Sequence, residues 1–246
     1  MTFVGTDSDA AAAEQLAALG HFAGSVAHDI NNMLFAVNGF IDLALAHEID
    51  DGARRHLQNA SDTLDRSGEL TRQLLAFSRG QAVELQPLSL SPAVGAAAGL
   101  LDQVTGHECL IDLHLADELP PIMADSTQLE QALTNLVVNA RDAGSGTIVV
   151  GTRLRVLDRP LAIDDAALCA GQWVELAVSD DGHGMDTETQ ERLFEPFFTT
   201  KDHGTGLGLA TVFAMVRRVG GGIFVESSPD AGTTMRLLFP PAGPAV

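Results

Sequence analysis

Asp180-Asp181-Gly182-His183-Gly184-Met185, followed some twenty residues on by Gly204-Thr205-Gly206-Leu207-Gly208-Leu209, is the pair of segments on which the reading of this chain turns. Two glycine clusters so close together suggest backbone brought against a ligand, because only glycine permits so near an approach. The first cluster follows a predicted strand, Trp173 to Val178, and opens with carboxylates. The second leads into a predicted helix, Leu207 to Val219, whose first amides can receive an anion. Carboxylate at one end and backbone N–H groups at the other suit a nucleotide, base first and phosphates second. Taken singly, either cluster reads equally well as a glycine-rich turn.

Two other phosphate-binding patterns fail. Gly204-x-Gly206-x-Gly208 has Glu226 about twenty residues downstream, as a dinucleotide fingerprint requires. That fingerprint also needs a strand directly before the glycines, and here the polar run Phe198-Thr199-Thr200-Lys201-Asp202-His203 precedes them. No Gly-Lys-Ser/Thr occurs, so the Walker pattern is absent.

Bulk properties narrow the field. A chain of 246 residues, 46% hydrophobic but 5% aromatic and without tyrosine, can bury a sizeable aliphatic core in one or two domains. A net charge of −19 argues against a nucleic-acid partner or an anionic membrane surface. It also means that bound phosphate needs a divalent cation or local basic groups. Lys201, the only lysine, lies between the glycine clusters. Cys109 and Cys169 lack metal-ligand spacing and fit a reduced, cytoplasmic setting. No signal peptide is evident, and no apolar run approaches the roughly 20 residues that span a bilayer.

Upstream the rhythm changes. Residues 1–13 read as a disordered lead-in. From Glu14 to His47, Leu16, Leu19, Phe22, Val26, Ile30, Met33, Val37, Phe40 and Ala44 recur at threes and fours, an amphipathic helix. A polar turn, Glu48 to Gly52, leads to a second helix from Ala53 to Ser78. Such a hairpin cannot cover both apolar stripes alone, so dimerisation into a four-helix bundle is expected. Residues 81–88 read as a linker, since Pro87 disfavours helix at Gln86. Residues 89–246 are mixed α/β: helices over Ser91–Val104 and from Asp125-Ser126 to Ala143, strands over Glu108–Leu115 and Thr147–Leu157, and a closing hairpin, Gly222–Ser227 with Thr233–Phe239. The fold class is therefore α+β.

On the first helix, His28 falls between Val26 and Ile30 and so faces away from the apolar stripe. A lone helical histidine is ordinarily a surface or filler residue. Here Asp29 is adjacent and Asn32 lies one turn on, and a carboxylate holding one ring nitrogen leaves the other nucleophilic. Asn135 and Asn139 sit four apart on another helix. They are either surface polar residues or amide oxygens holding Mg²⁺ against phosphates.

These residues resemble the catalytic core of bacterial two-component sensor histidine kinases. His28-Asp29-x-x-Asn32 is similar to the family's H-box and Asn135-Leu136-Val137-Val138-Asn139-Ala140 to its N-box. Asp180-x-Gly182-x-Gly184-Met185 resembles the first glycine box, Phe194 through Lys201 the F-box, and Gly204 through Leu209 the second glycine box. The five motifs run in the family's order across nearly the whole chain. The resemblance implies a dimerisation and phosphotransfer domain over 14–80 and a GHKL (Bergerat) ATP-binding sandwich over 89–246. It implies ATP and Mg²⁺ as cofactors, Asp180 as acceptor of the adenine amino group, and Asn139 with Asn135 as metal ligands. Gly182, Gly184, Gly204, Thr205, Gly206, Leu207 and Gly208 would line the nucleotide, under a lid running from Asp186 to His203. Lys201, with His203 or Arg141, would add positive charge, and Phe194, Phe197 and Phe198 would anchor the lid.

The implied activity is autophosphorylation of His28, with Asp29 sharing the proton on the far nitrogen, then transfer to a response-regulator aspartate. Asn32 matches the family position that orients water, which implies a second, phosphatase activity. Asp29 departs from the glutamate that many relatives carry there. The wording of the H-box and of Phe198-Thr199-Thr200-Lys201 is similar to nitrogen-regulation and hybrid cell-cycle kinases. Gyrase-like, chaperone-like and mismatch-repair ATPases share the nucleotide boxes but lack the upstream His-Asp-x-x-Asn hairpin. A phosphotransfer scaffold with an inactive ATP domain would show eroded asparagines or glycines, and these are intact.

Overall fold

The computed structural model describes residues 83–243 apart from 107, 164–165 and 202–203, together with positions 34, 37–39, 41, 43–45, 50, 52–58, 60–61 and 64. The chain divides into two units, Met1–Ala82 and Val83–Val246.

In the first unit every described residue except Asp50 is helical. Asp50 starts the later helix: its carboxylate accepts the amides of Gly52 (2.8 Å) and Ala53 (3.0 Å), and its carbonyl accepts that of Arg54. Ser61 Oγ donates to Asn38 Oδ1 (3.1 Å), and Arg54 Nη1 reaches the carbonyl of Leu45 (3.5 Å). Both bonds are centred between residues 49 and 50, the register of an antiparallel hairpin. Ile41 is buried, whereas Val37, a member of the expected stripe, and Leu43 are exposed. The hairpin therefore closes on a face that includes Ile41 and leaves Val37 uncovered.

The second unit is a two-layer sandwich. In chain order it comprises β1 (Gln86–Leu88), α1 (Leu90–Thr105), β2 (Leu110–His114), β3 (Ile122–Ala124), α2 (Ser126–Asp142), β4 (Thr147–Leu157), β5 (Leu161–Ile163), β6 (Ala166–Leu168), β7 (Gly171–Asp180), α3 (Thr187–Arg192), α4 (Gly208–Arg218), β8 (Gly222–Ser227) and β9 (Thr233–Phe239). The main sheet has the order β2-β4-β7-β9-β8, with β2 parallel to β4 and the other pairs antiparallel. Alternation puts Ile148 and Val150 of β4, Val174, Leu176 and Val178 of β7, and Met235, Leu237 and Phe239 of β9 on one face. Helices α1, α2 and α4 cover it with Leu90, Val94, Leu101, Leu129, Leu133, Leu136, Val212 and Val216, and α2 lies between the other two. β1 falls within the stretch read as linker. It pairs only with β3, and such an edge position tolerates Pro87.

The opposite face of the sheet holds a charged cluster. Glu175 is 1% exposed, yet it receives Arg153 on both oxygens (2.8 and 3.2 Å), Arg155 (2.9 Å) and Arg236 (3.3 Å). Burial pushes its carboxyl up, but the arginine hydrogen bonds and charges outweigh this and hold it below the ordinary range. The stabilisation is therefore present above the unfolded carboxylate's pKa and is lost as pH falls through the folded one. Glu175→Gln is expected to cost about 1–3 kcal/mol at neutral pH and to flatten the acid side of the Tm–pH profile. Thermal melts from neutral pH down into the carboxylate range check this.

Candidate functional site

Helix α2 is the spine of the site. Asp125 Oδ1 caps it, accepting the amides of Thr127 (2.9 Å) and Gln128 (3.1 Å). The apolar residues Leu129, Ala132, Leu133, Leu136, Val137 and Ala140 are buried. Other residues of the helix meet three separate stretches of chain. Asn135 Nδ2 donates to the Gly208 carbonyl (3.3 Å). Lys201 Nζ donates to Asn139 Oδ1 (2.8 Å) and to Asp142 Oδ2 (2.7 Å). Beyond the last turn, the Ala143 carbonyl accepts the amide of His183 (3.0 Å). Both glycine segments and the lysine between them are thus docked along one helix.

The glycines serve this docking directly. A Cβ on Gly182 would lie 2.8 Å from both the Cβ and the carbonyl oxygen of Ala143, so any side chain there would push the loop off the helix. Gly206 has φ 65°, and its Cβ would strike the backbone of Phe197 and Phe198, while its carbonyl accepts the Phe197 amide (3.0 Å). Gly184 lies against the Ser228 carbonyl and Gly204 against the Thr199 hydroxyl. A Cβ on Gly208 would meet only the Asn135 side chain, at ordinary van der Waals distance. Leu207 is buried at the start of α4, and its amide donates to Thr205 Oγ1 (3.3 Å).

Adjacent carboxylates at the end of β7 have opposite fates. The strand runs two residues beyond the expected Val178, so Asp180 is its last residue, in register with Thr233 of β9. Asp180 Oδ1 accepts the amides of Gly182 (3.0 Å) and Thr233 (3.2 Å). Burial first, and Asp181 in addition, push its carboxyl above the ordinary range. Asp181 Oδ1 accepts Ser145 Oγ (2.7 Å) and the amides of Gly146 (2.8 Å) and Thr147 (3.1 Å), which hold its carboxyl below that range. Asp181 ties the loop to the α2–β4 turn. Beside Asp180 opens a cleft of about 540 Å³, whose lining includes Gln190, Ser227, Gly232 and Thr233.

Around Lys201 the segment is partly ordered by aromatics. Phe194 stacks on Phe213 of α4, with ring centroids 5.0 Å apart. Arg192 covers Phe198 at 4.3 Å, and Phe197 is exposed. Arg141 does not supply charge to the site. Its Nη1 donates to the Val104 carbonyl (2.6 Å), and Nε and Nη2 hold Asp142 (3.0 and 2.6 Å), because the α2 turn directs its side chain toward the end of α1. His28, Asp29, Asn32 and His203 lie outside the described residues. Sequence reading missed two residues that the site uses. Asp142 was detectable from its i+3 spacing to Asn139; Thr233 meets Asp180 only through strand register.

Family comparisons agree with the division of the chain. Residues 18–83 match the His Kinase A (phospho-acceptor) domain, and residues 124–243 the histidine kinase-, DNA gyrase B-, and HSP90-like ATPase family. Sensor kinase CckA of Brucella abortus is 35% identical over 95% of this chain and 25% of its own length. Signal transduction histidine-protein kinase AtoS of Escherichia coli is 32% identical over 94% of this chain and 36% of its own. The chain thus spans about a quarter to a third of these relatives. Full-length ShkA in complex with AMPPNP has a TM-score of 0.70 at 24% identity, covering 95% of this chain and 47% of that one. Histidine kinase ThkA in complex with the response regulator protein TrrA scores 0.60 at 23% identity, covering 93% and 64%. At these identities the likeness is one of fold.

Proposed function

Because this chain belongs to the two-component sensor histidine kinases, as their catalytic core, we propose that it transfers the γ-phosphoryl group of ATP to His28 and then to an aspartate of a response-regulator receiver domain. The observation that carries the nucleotide half is the docking of both glycine segments and Lys201 along α2, which gathers Asn135, Asn139 and Gly208 at one place. Asp180, in the lining of the cleft at the end of β7, would accept the adenine amino group.

The oxygens present suit Mg²⁺. Asn139 Oδ1 already faces an ammonium group, and Asn135 turns its Nδ2 to Gly208, leaving Oδ1 as a hard neutral donor. Among the described residues no group of three or more His, Cys, Asp or Glu is placed to hold a metal, so amides, phosphate and water would complete the shell. When bound, the ion neutralises charge on the phosphates.

At His28 the lone pair of one ring nitrogen forms the N–P bond as the bond from phosphorus to the bridging oxygen breaks and ADP leaves. Asp29 would hold the proton on the other nitrogen. Positioning supplies most of the acceleration in such transfers. Asn32, four residues after His28 in the sequence, supports a second activity in which it orients water to dephosphorylate the regulator. Val37, 44% exposed and one turn from the buried Ile41, offers the hairpin of a second copy apolar surface. No described helix is long and apolar enough to cross a membrane.

The test is incubation of the chain with γ-labelled ATP and Mg²⁺. Label that is lost in acid and retained in base is expected, the behaviour of a phosphorus–nitrogen bond. Label with the reverse stability would overturn phosphorylation on histidine.

A further inference from the structure

We propose that Asp142 is a positioning residue that parks the only lysine of the chain on Asn139, so that nucleotide entry frees the amide oxygen and the lysine together. The proposal rests on the nucleotide reading above. Lys201 Nζ bridges Asn139 Oδ1 (2.8 Å) and Asp142 Oδ2 (2.7 Å). Asp142 is itself fixed: Arg141 grips its Oδ1 through Nε and Nη2 and is anchored by Nη1 to the Val104 carbonyl at the end of α1. Lys201 comes from the segment between the glycine boxes, and its carbonyl accepts the Gly204 amide (3.2 Å). Its side chain is 38% exposed, so it can leave without unpacking the core.

Two competitions meet here. An ammonium group and a divalent cation held on one amide oxygen repel each other, so Asn139 Oδ1 favours one at a time. Lys201 cannot neutralise Asp142 and a phosphate at the same time. Asp142 therefore holds the segment through Lys201 and opposes nucleotide binding by retaining the charge that phosphate needs. Lys201 is released only when both of its partners are outbid.

A double-mutant cycle isolates this coupling. ATP affinity is measured in EDTA for the full chain and for D142N, K201Q and the double variant. D142N is expected to tighten Mg²⁺-free ATP about three- to fivefold, the strength of a partly exposed ion pair. In the K201Q background it is expected to change nothing. Equal tightening in both backgrounds would mean that Asp142 acts by bulk charge alone and would overturn the parking role; so would no change in either. A parent chain that binds no ATP with or without Mg²⁺ would instead remove the nucleotide reading itself, and this proposal with it. K201Q alone gives a second reading by NMR. It is expected to move the side-chain amide resonances of Asn139 in the nucleotide-free protein, and unmoved resonances would overturn the contact.

Discussion

Replacing His28 with Gln is expected to abolish acid-labile labelling from γ-labelled ATP while leaving ATP affinity unchanged. Gln keeps a polar side chain of similar reach but has no nucleophile, because the amide nitrogen's lone pair is delocalised into the carbonyl. An imidazole offers an unshared pair in the ring plane, and a carboxylate on its far nitrogen keeps the correct tautomer. The residues assigned to nucleotide lie in a different unit from His28, between Asn135 and Gly208, so binding and acceptance separate cleanly. The check is to label parent and variant side by side and to titrate both with ATP. Eight histidines are present, so label persisting in the variant would assign acceptance to another of them, His56 or His183 for example. Label lost together with ATP binding would show that the substitution had acted through the fold.

What the sequence made legible was whatever has a short period or a local rule. The strand Thr147–Leu157 and the pair Gly222–Ser227 and Thr233–Phe239 appear with the bounds read from alternation and turn residues. Helices at Leu90, Ser126 and Gly208 start within a residue or so of where capping and periodicity put them. The short elements escaped. β1, β3 and the β5–β6 pair are three residues each, too short for any period, and exist because a partner strand satisfies their backbone. At the candidate site, the motifs named Asn135, Asn139, Asp180 and Lys201 but not what each touches. Gly206 illustrates the difference: as a motif member it is read as a ligand cradle, whereas its close neighbours are Phe197 and Phe198 of its own chain. The partnership of Glu175 with three arginines had no signal at all, since it depends on the register of three strands.

Asp180→Asn is expected to weaken ATP about 10- to 100-fold, the strength of a hydrogen bond to a charged group that is partly shielded from water. The same change is expected to raise, not lower, the Tm of the nucleotide-free protein. Its geometry separates the two effects. Oδ1 is the atom that accepts the Gly182 and Thr233 amides, and asparagine retains an oxygen there, so the strand end and the first glycine turn stay closed. What is lost is the charge. Burial lifts the Asp180 carboxyl above its unfolded value, so its contribution to stability is full below the unfolded pKa and is lost as pH rises through the folded one. Once ionised, the group is therefore a burden on the fold that a neutral isostere removes. The remaining oxygen becomes an NH₂ group, which presents a donor where the adenine amino group also brings a donor, so affinity falls by mismatch as well as by charge. Thermal melts of parent and variant with and without ATP read both quantities at once. A higher baseline Tm with little ATP-induced shift is the expected pair. An undiminished ATP shift in the variant would remove Asp180 from the base-recognition role, and a lowered baseline would show that its charge, rather than its oxygen, holds the turn together.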